Sequence, residues 1–198
     1  ELESFTKLWT KQDIKFNTVY TGFFNSYKQI DYICDYLKDK KVKLFVDPVL
    51  GDNGNRFKCF DDNYQKSLKK LVDMADYISP NLTEACLLTD SNINEDPVEI
   101  IKKFKNKKVV ITSIHKDNKI GYLVKDDDEI FHILNNKVKD ELHGTGDVFA
   151  SFLCAKMIQT NNFSESVIHA AKKTNDCITA TLKEKGHSIY GLNFEQVI

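Results

Sequence analysis

The sequence has almost no net charge. Its acidic and basic side chains cancel to a formal −1, which leaves no field to recruit nucleic acid or an anionic membrane surface. No apolar run approaches the length of a bilayer span, and residues 1–11 lack the charged-then-apolar pattern of a secretory leader, so the expectation is a cytoplasmic chain with no membrane partner. Cys34, Cys59, Cys86, Cys154 and Cys177 show no Cys-x-x-Cys spacing, and the histidines form no His-Glu-x-x-His pair. Thiolate metal centres are thereby set aside, and the cysteines read as reduced packing residues. Neither a Gly-x-x-x-x-Gly-Lys-Ser/Thr run nor a Gly-x-Gly-x-x-Gly loop occurs, so neither familiar nucleotide cradle explains the chain. There is no internal repeat, low-complexity tract or interdomain linker, and 198 residues with 41% hydrophobic content predict a single domain over 1–198.

What the chain does have is an alternation of strand and helix signals. A short helix over 3–12 precedes a strand over 16–21 that stops at Gly22. Ser26 and Gln29 have capping-box spacing ahead of an amphipathic helix over 27–39. The apolar run Leu44-Phe45-Val46 predicts a buried strand over 43–47, ended by Asp47-Pro48. A polar loop over 51–60, a helix marked by Tyr64, Leu68, Leu71, Val72 and Ala75, and a short strand over 77–79 follow. Pro80-Asn81 stops that strand, and a brief helix covers 83–88. Asp96-Pro97 opens a helix reaching Lys105, whose lysine-rich end reads as a solvated face complementing the helix dipole. A strand over 109–113, a hairpin of 119–125 with 129–134, and helices over 147–158 and 164–182 complete the order. This predicts an α/β layered fold with a mainly parallel sheet and an antiparallel edge hairpin.

His143-Gly144-Thr145-Gly146-Asp147 stands between an extended segment and a strongly apolar helical one. Two glycines let the backbone turn and bring its N–H groups close to a ligand, and the unpaired amides of a helix N-terminus favour an anion such as phosphate. Asp147 in that first turn would compete with the anion unless it accepts a proton from a hydroxyl attacking the phosphate. These five residues also fit a plainer reading, in which the glycines shape a loop and Asp147 caps a helix. Ligands of parallel α/β sheets gather at the carboxyl ends of strands, where Asp47, Asn81, Thr112 and the glycine run fall. Asp47, Asp52 and Glu84 would repel one another there unless a magnesium ion joined them, or unless each is solvated separately. Asn81-Leu82-Thr83 and Asn162-Phe163-Ser164 match glycosylation sequons, read as accidental.

Taken together, Asp47-Pro48-Val49-Leu50-Gly51-Asp52, Ser79-Pro80-Asn81-Leu82-Thr83-Glu84-Ala85, Val110-Ile111-Thr112-Ser113 and Gly144-Thr145-Gly146-Asp147 resemble the ribokinase superfamily, and within it the pyridoxal/pyridoxamine kinases. The resemblance implies a ribokinase-like fold and ATP-dependent phosphorylation of the 5′-hydroxymethyl group of vitamin B6. It also implies a cytoplasmic homodimer using Mg²⁺ and a stimulating monovalent cation (K⁺). By position, Asp147 would be the base, and Gly144, Thr145 and Gly146 the anion hole. Asp47, Asp52, Asn81 and Glu84 would serve metal and phosphates, Thr112 and Ser113 the ATP side. Phe23 stands where the family usually has a tyrosine packing on the pyridine ring. Family members begin with a further segment of several dozen residues that has no counterpart here, which implies a shortened chain or part of a longer one. The related hydroxymethylpyrimidine kinases, many with cysteine where Asp147 stands, are the nearest alternative; a non-catalytic nucleotide- or vitamin-binding remnant is the other.

Overall fold

A computed structural model describes residues 1–137, 142–184 and 191–198. The chain divides into two compact units, Glu1–Lys107 and Lys108–Ile198.

The first unit opens with α1 (Leu2–Lys11), followed by β1 (Thr18–Thr21), α2 (Tyr27–Leu37) and β2 (Lys43–Val46). A two-residue hairpin, β3 (Gly51–Asp52) with β4 (Asn55–Arg56), precedes α3 (Asp62–Met74), β5 (Tyr77–Ile78), α4 (Leu82–Thr89) and α5 (Pro97–Lys102). β1, β2 and β5 are parallel neighbours, with Thr21 beside Val46 and Val46 beside Ile78. Leu44, Phe45 and Val46 are all buried, as a continuous apolar run covered on both faces requires. α2 turns Ile30, Ile33 and Leu37 inward, the inner stripe predicted from their spacing.

Two local expectations change. Ser26 is the N-cap of α2 but makes no side-chain cap bond: the Gln29 N–H goes to the Ser26 carbonyl at 3.1 Å, and Gln29 Oε1 accepts from the Asn25 N–H at 2.8 Å. The polar loop over 51–60 contains the β3–β4 hairpin, whose turn residues Asn53 and Gly54 both have positive φ, the combination a tight two-residue turn demands. Much of the lysine-rich stretch is engaged: Lys102 with Glu99, Lys103 with Glu95, and Lys107 with the Asp73 carbonyl.

The second unit is an antiparallel meander of β6 (Lys108–Lys116), β7 (Lys119–Asp126) and β8 (Glu129–Asn136). The antiparallel helices α6 (Thr145–Thr160) and α7 (Phe163–Leu182) follow, and α7 packs on β7 and β8. Phe149, Leu153 and Met157 of α6 and Phe163, Val167, Ala170, Ala171 and Cys177 of α7 are buried. With β1, β2 and β5 parallel in the first unit and the hairpin in the second, the α/β class read from the sequence is the one found. Both sequon asparagines are helix N-caps: Asn81 accepts from Glu84 N–H and Asn162 from Glu165 N–H.

Asp126 pins the start of α7. One of its oxygens accepts the Ser164 N–H at 3.1 Å and the Ser164 hydroxyl at 2.6 Å, while the other meets the Lys108 ammonium. Burial alone would raise this carboxyl, but the bonds from Lys108 and Ser164 outweigh it and hold the pKa below the ordinary 3.8. Asp126→Ala leaves these donors without an acceptor and is expected to cost about 1–3 kcal/mol in denaturant unfolding. The folded pKa is depressed, so the wild-type contribution is present above pH 3.8 and lost as pH falls through the lowered value. The variant is expected to lack that acid-side loss.

Candidate active site

In the first unit the parallel register brings the residues that follow each strand out on one rim. Asp47 N–H donates to the Thr21 carbonyl at 2.9 Å and Ser79 N–H to the Val46 carbonyl at 3.1 Å, each extending the ladder one step past the strand. Phe23, Asp47 and Asn81 therefore follow neighbouring strand ends. Phe23 is 62% exposed, with its ring centroid 5.9 Å from that of Phe60, which itself stacks on Tyr64 at 3.7 Å. This is an aromatic face open to solvent and backed by two more rings, a surface suited to a flat apolar ring. The Tyr20 hydroxyl donates to Asp47 Oδ2 at 3.1 Å.

The loop after β2 is sewn onto the first turn of α4. Glu84 is only 5% exposed; its Oε1 accepts the Leu50 N–H at 3.0 Å and its Oε2 the Asn81 N–H at 2.8 Å. Asn81 returns the contact by accepting the Glu84 N–H, and its Nδ2 donates to the Gly51 carbonyl at 2.8 Å. Thr83 Oγ1 takes the Gly54 N–H at 2.8 Å. A Cβ at Gly51 would lie 2.4 Å from the Asn55 carbonyl oxygen, so only glycine lets the hairpin close there. Burial drives the Glu84 carboxyl up to about 8, against the pull of its backbone N–H bonds, and the charge of Asp47 adds to the rise.

Asp47, Asp52 and Glu84 are the carboxylates expected to serve a metal. Both oxygens of Glu84 are committed to backbone amides, and among the described residues no three His, Cys, Asp or Glu side chains gather as a metal centre. Asp47 is half-buried at the strand end, and Asp52 is exposed with its Oδ1 on the Asn53 N–H. Glu84 is thus a clamp for the loop, and Asp47 and Asp52 retain the solvent-facing carboxylates.

In the second unit, Ile111 pairs with Leu123 and Ile114 with Gly121, so Thr112 and Ser113 together face Tyr122. This two-against-one bulge puts Ser113 at φ +59°, a left-handed conformation that costs a non-glycine residue about 1 kcal/mol or more. The predicted strand over 109–113 thus continues beyond the bulge to Lys116. Tyr122 stacks on Phe149 with centroids 4.4 Å apart, and Phe149 lies about one turn into α6. The bulge and the start of α6 are therefore joined through one ring pair.

α6 begins at Thr145, two residues before the predicted start, with Gly144 as N-cap at φ +80° and no side-chain cap bond. Its first helical hydrogen bond runs from Val148 N–H to the Gly144 carbonyl, so the N–H groups of Thr145, Gly146 and Asp147 have no partner within the helix. Asp147 occupies the first turn, exposed, with no hydrogen bond to its carboxylate among the described residues. A Cβ at Gly146 would touch nothing within 4 Å, so no internal packing demands glycine there. A groove of about 470 Å³, lined by Lys108, Asp126, Asn161 and Phe163 among others, lies at the other end of α6. Sixteen residues of helix, about 24 Å, separate it from the glycine turn.

The profile of the phosphomethylpyrimidine kinase family matches residues 8–192. The chain belongs to that family. It is similar to the pyridoxal kinase of Dictyostelium discoideum, at 33% identity over 157 residues, 68% of this chain and 52% of the relative. The hydroxymethylpyrimidine/phosphomethylpyrimidine kinase of Haemophilus influenzae is 27% identical over 184 residues, 87% of this chain and 67% of that one. Among solved structures, the pyridoxal kinase of Lactobacillus plantarum matches with a TM-score of 0.90 at 25% identity, over 96% of this chain and 72% of that chain. The chain spans about half the length of the Dictyostelium relative.

Of the residues singled out in the sequence, Asp47 and Asn81 follow neighbouring strand ends, and the glycine turn and Asp147 open α6. Sequence reasoning missed the bulge at Thr112-Ser113, the hydroxyl on Asp47 and the loop-clamping role of Glu84. The Asn-x-x-Glu spacing of 81–84 was the available signal for the last.

Two outcomes follow from this geometry. Glu84→Gln can satisfy only one of the two backbone N–H groups and is expected to cost about 1–3 kcal/mol in denaturant unfolding. The folded wild type binds the Glu84 proton more tightly than the unfolded chain, about 8 against an ordinary 4.5. The contribution of this group is therefore whole below pH 4.5 and lost as pH rises to about 8, a decline the Gln variant is expected to lack. Gly146→Ala removes a flexible residue from a helical turn with open space around it, and its melting temperature is expected to rise, by a stability gain of up to about 1 kcal/mol.

Proposed function

We propose that this chain carries the catalytic machinery of a kinase that moves the γ-phosphoryl group of ATP onto the 5′-hydroxymethyl group of pyridoxal, pyridoxamine or pyridoxine. The observation carrying this reading is the start of α6, where three amides without helical partners stand beside an exposed carboxylate free of hydrogen bonds among the described residues. The family and its pyridoxal kinase relatives support it.

In this reading the substrate hydroxyl donates to Asp147 and attacks the γ-phosphorus. The bond to the bridging oxygen breaks, ADP leaves, and the hydroxyl proton passes to Asp147. The transition state of phosphoryl transfer is loose, so the hydroxyl proton need not leave early and acceleration comes mainly from positioning and charge neutralisation. The amides of Thr145, Gly146 and Asp147 hold the charge that develops on the leaving oxygens, while the Gly144 turn aims them. Thr112 and Ser113, re-aimed by the bulge, serve the nucleotide in the second unit; in the first, Asn81 serves its phosphates and Phe23 offers its face to the pyridine ring.

Hard carboxylate oxygens on Asp47 and Asp52, with water and phosphate oxygens as remaining ligands, would suit magnesium, and Glu84, whose oxygens each keep a lone pair beyond one amide bond, would serve metal and phosphates beside them. When bound, magnesium neutralises phosphate charge. A monovalent cation, a homodimer, a cytoplasmic location and a single kinase domain over 1–198 carry over from the resemblance as part of the proposal. The second reading is phosphorylation of hydroxymethylpyrimidine, favoured by the family's own description and the Haemophilus relative.

The test is turnover of ATP with pyridoxal, pyridoxamine and hydroxymethylpyrimidine in turn. Pyridoxal or pyridoxamine is expected to turn over fastest, whereas a preference for the pyrimidine would move the assignment to the second reading. Absence of turnover with nucleotide still bound would leave a binding protein. Asp147→Asn is expected to lower kcat by about 10²–10⁴-fold while ATP binding persists, and wild-type rates in that variant would remove its role.

A further inference from the structure

We infer that Tyr20 is a positioning residue whose hydroxyl fixes the orientation in which Asp47 meets a magnesium-bound phosphate. The inference rests on the role given to Asp47 in the proposed function.

Nearly every other freedom of Asp47 is already removed. Its N–H is held by the Thr21 carbonyl at 2.9 Å, its carbonyl accepts from Val49 N–H at 3.0 Å, and Pro48 restricts its backbone to extended conformations. The side-chain torsion is acted on directly by the bond from Tyr20 Oη to Oδ2 at 3.1 Å. Tyr20 lies in β1 beside Phe45, one strand away from Asp47. Its ring is 41% exposed although the neighbouring strand residues Leu44, Phe45 and Val46 are buried, so burial alone does not account for an aromatic side chain here.

The ring lies over the chain just after β1. A Cβ at Gly22 would sit 3.7 Å from the Tyr20 hydroxyl and 3.8 Å from its Cε1, ordinary contact distances, so the ring folds back beside Gly22 and its hydroxyl reaches Asp47. Holding one carboxylate oxygen limits the rotation of the group and biases how its charge is presented. A phenylalanine would keep the ring and lose the hydroxyl bond to Asp47.

The experiment measures binding of the non-hydrolysable analogue adenylyl-imidodiphosphate by calorimetry, over a magnesium titration and in EDTA, with melting temperatures recorded alongside. It compares wild type, Tyr20→Phe, Asp47→Asn and the double variant. Tyr20→Phe is expected to weaken magnesium-dependent binding about three- to tenfold, the worth of one hydrogen bond. Binding in EDTA and the melting temperature are expected to stay as in wild type, and the substitution is expected to add nothing in the Asp47→Asn background. Equal loss with and without magnesium, or a further loss in the Asp47→Asn background, would overturn the inference. So would a lowered melting temperature with unchanged magnesium dependence. A wild type that binds while Tyr20→Phe matches it overturns this inference alone; a wild type that binds no analogue overturns the kinase reading with it.

Discussion

A carboxyl group shut away from water must find donors, and Glu84 finds two in the backbone, the N–H groups of Leu50 and Asn81. The first unit's functional rim depends on this clamp. Through it, and through the amide of Asn81 and the hydroxyl of Thr83, the segment carrying Asp47, Gly51 and Asp52 is tied to the first turn of α4 instead of wandering as a polar loop. The energetic balance is narrow. Burial works against the charge while the amides work for it, and the outcome is a group that holds its proton far above the usual carboxylate range.

The second unit solves a complementary problem. Where the first saturates its acceptors, the second leaves donors open at the start of α6, and glycine at the cap and in the first turn keeps side chains out of the way. The Tyr122–Phe149 stack ties that start to the bulge on β6. Two hydroxyl residues that a regular strand would send to opposite faces are brought to one irregularity beside it.

Much of this was legible in the chain because the relevant physics is local. Apolar runs and helical stripes located the strands and helices, and the paired glycines flagged a turn needing close backbone approach. Capping was less legible. Ser26 and Gln29 had the spacing of a reciprocal cap and do not form one: the Gln29 side chain takes the Asn25 amide and the Gln29 amide takes the Ser26 carbonyl. Asn81 and Glu84 do form one, and drew attention for other reasons. The Asn53-Gly54 turn was a strong hairpin signal inside a stretch read only as polar. The bulge left no mark that a single sequence displays, because Ser113 adopts a backbone conformation usually announced by glycine or asparagine. Its position is fixed by pairing with β7, a long-range relation that composition and spacing do not encode.

That bulge constrains length as well as identity. Side chains alternate along a strand, and with Thr112 and Ser113 both opposite Tyr122, Ile114 returns opposite Gly121 to the face of Ile111, both of them interior. Removing either hydroxyl residue would leave one residue opposite Tyr122 and a regular ladder, with Ile114 still opposite Gly121. In this segment the residue count therefore decides whether two hydroxyls stand together at all, while the flanking ladder keeps its faces.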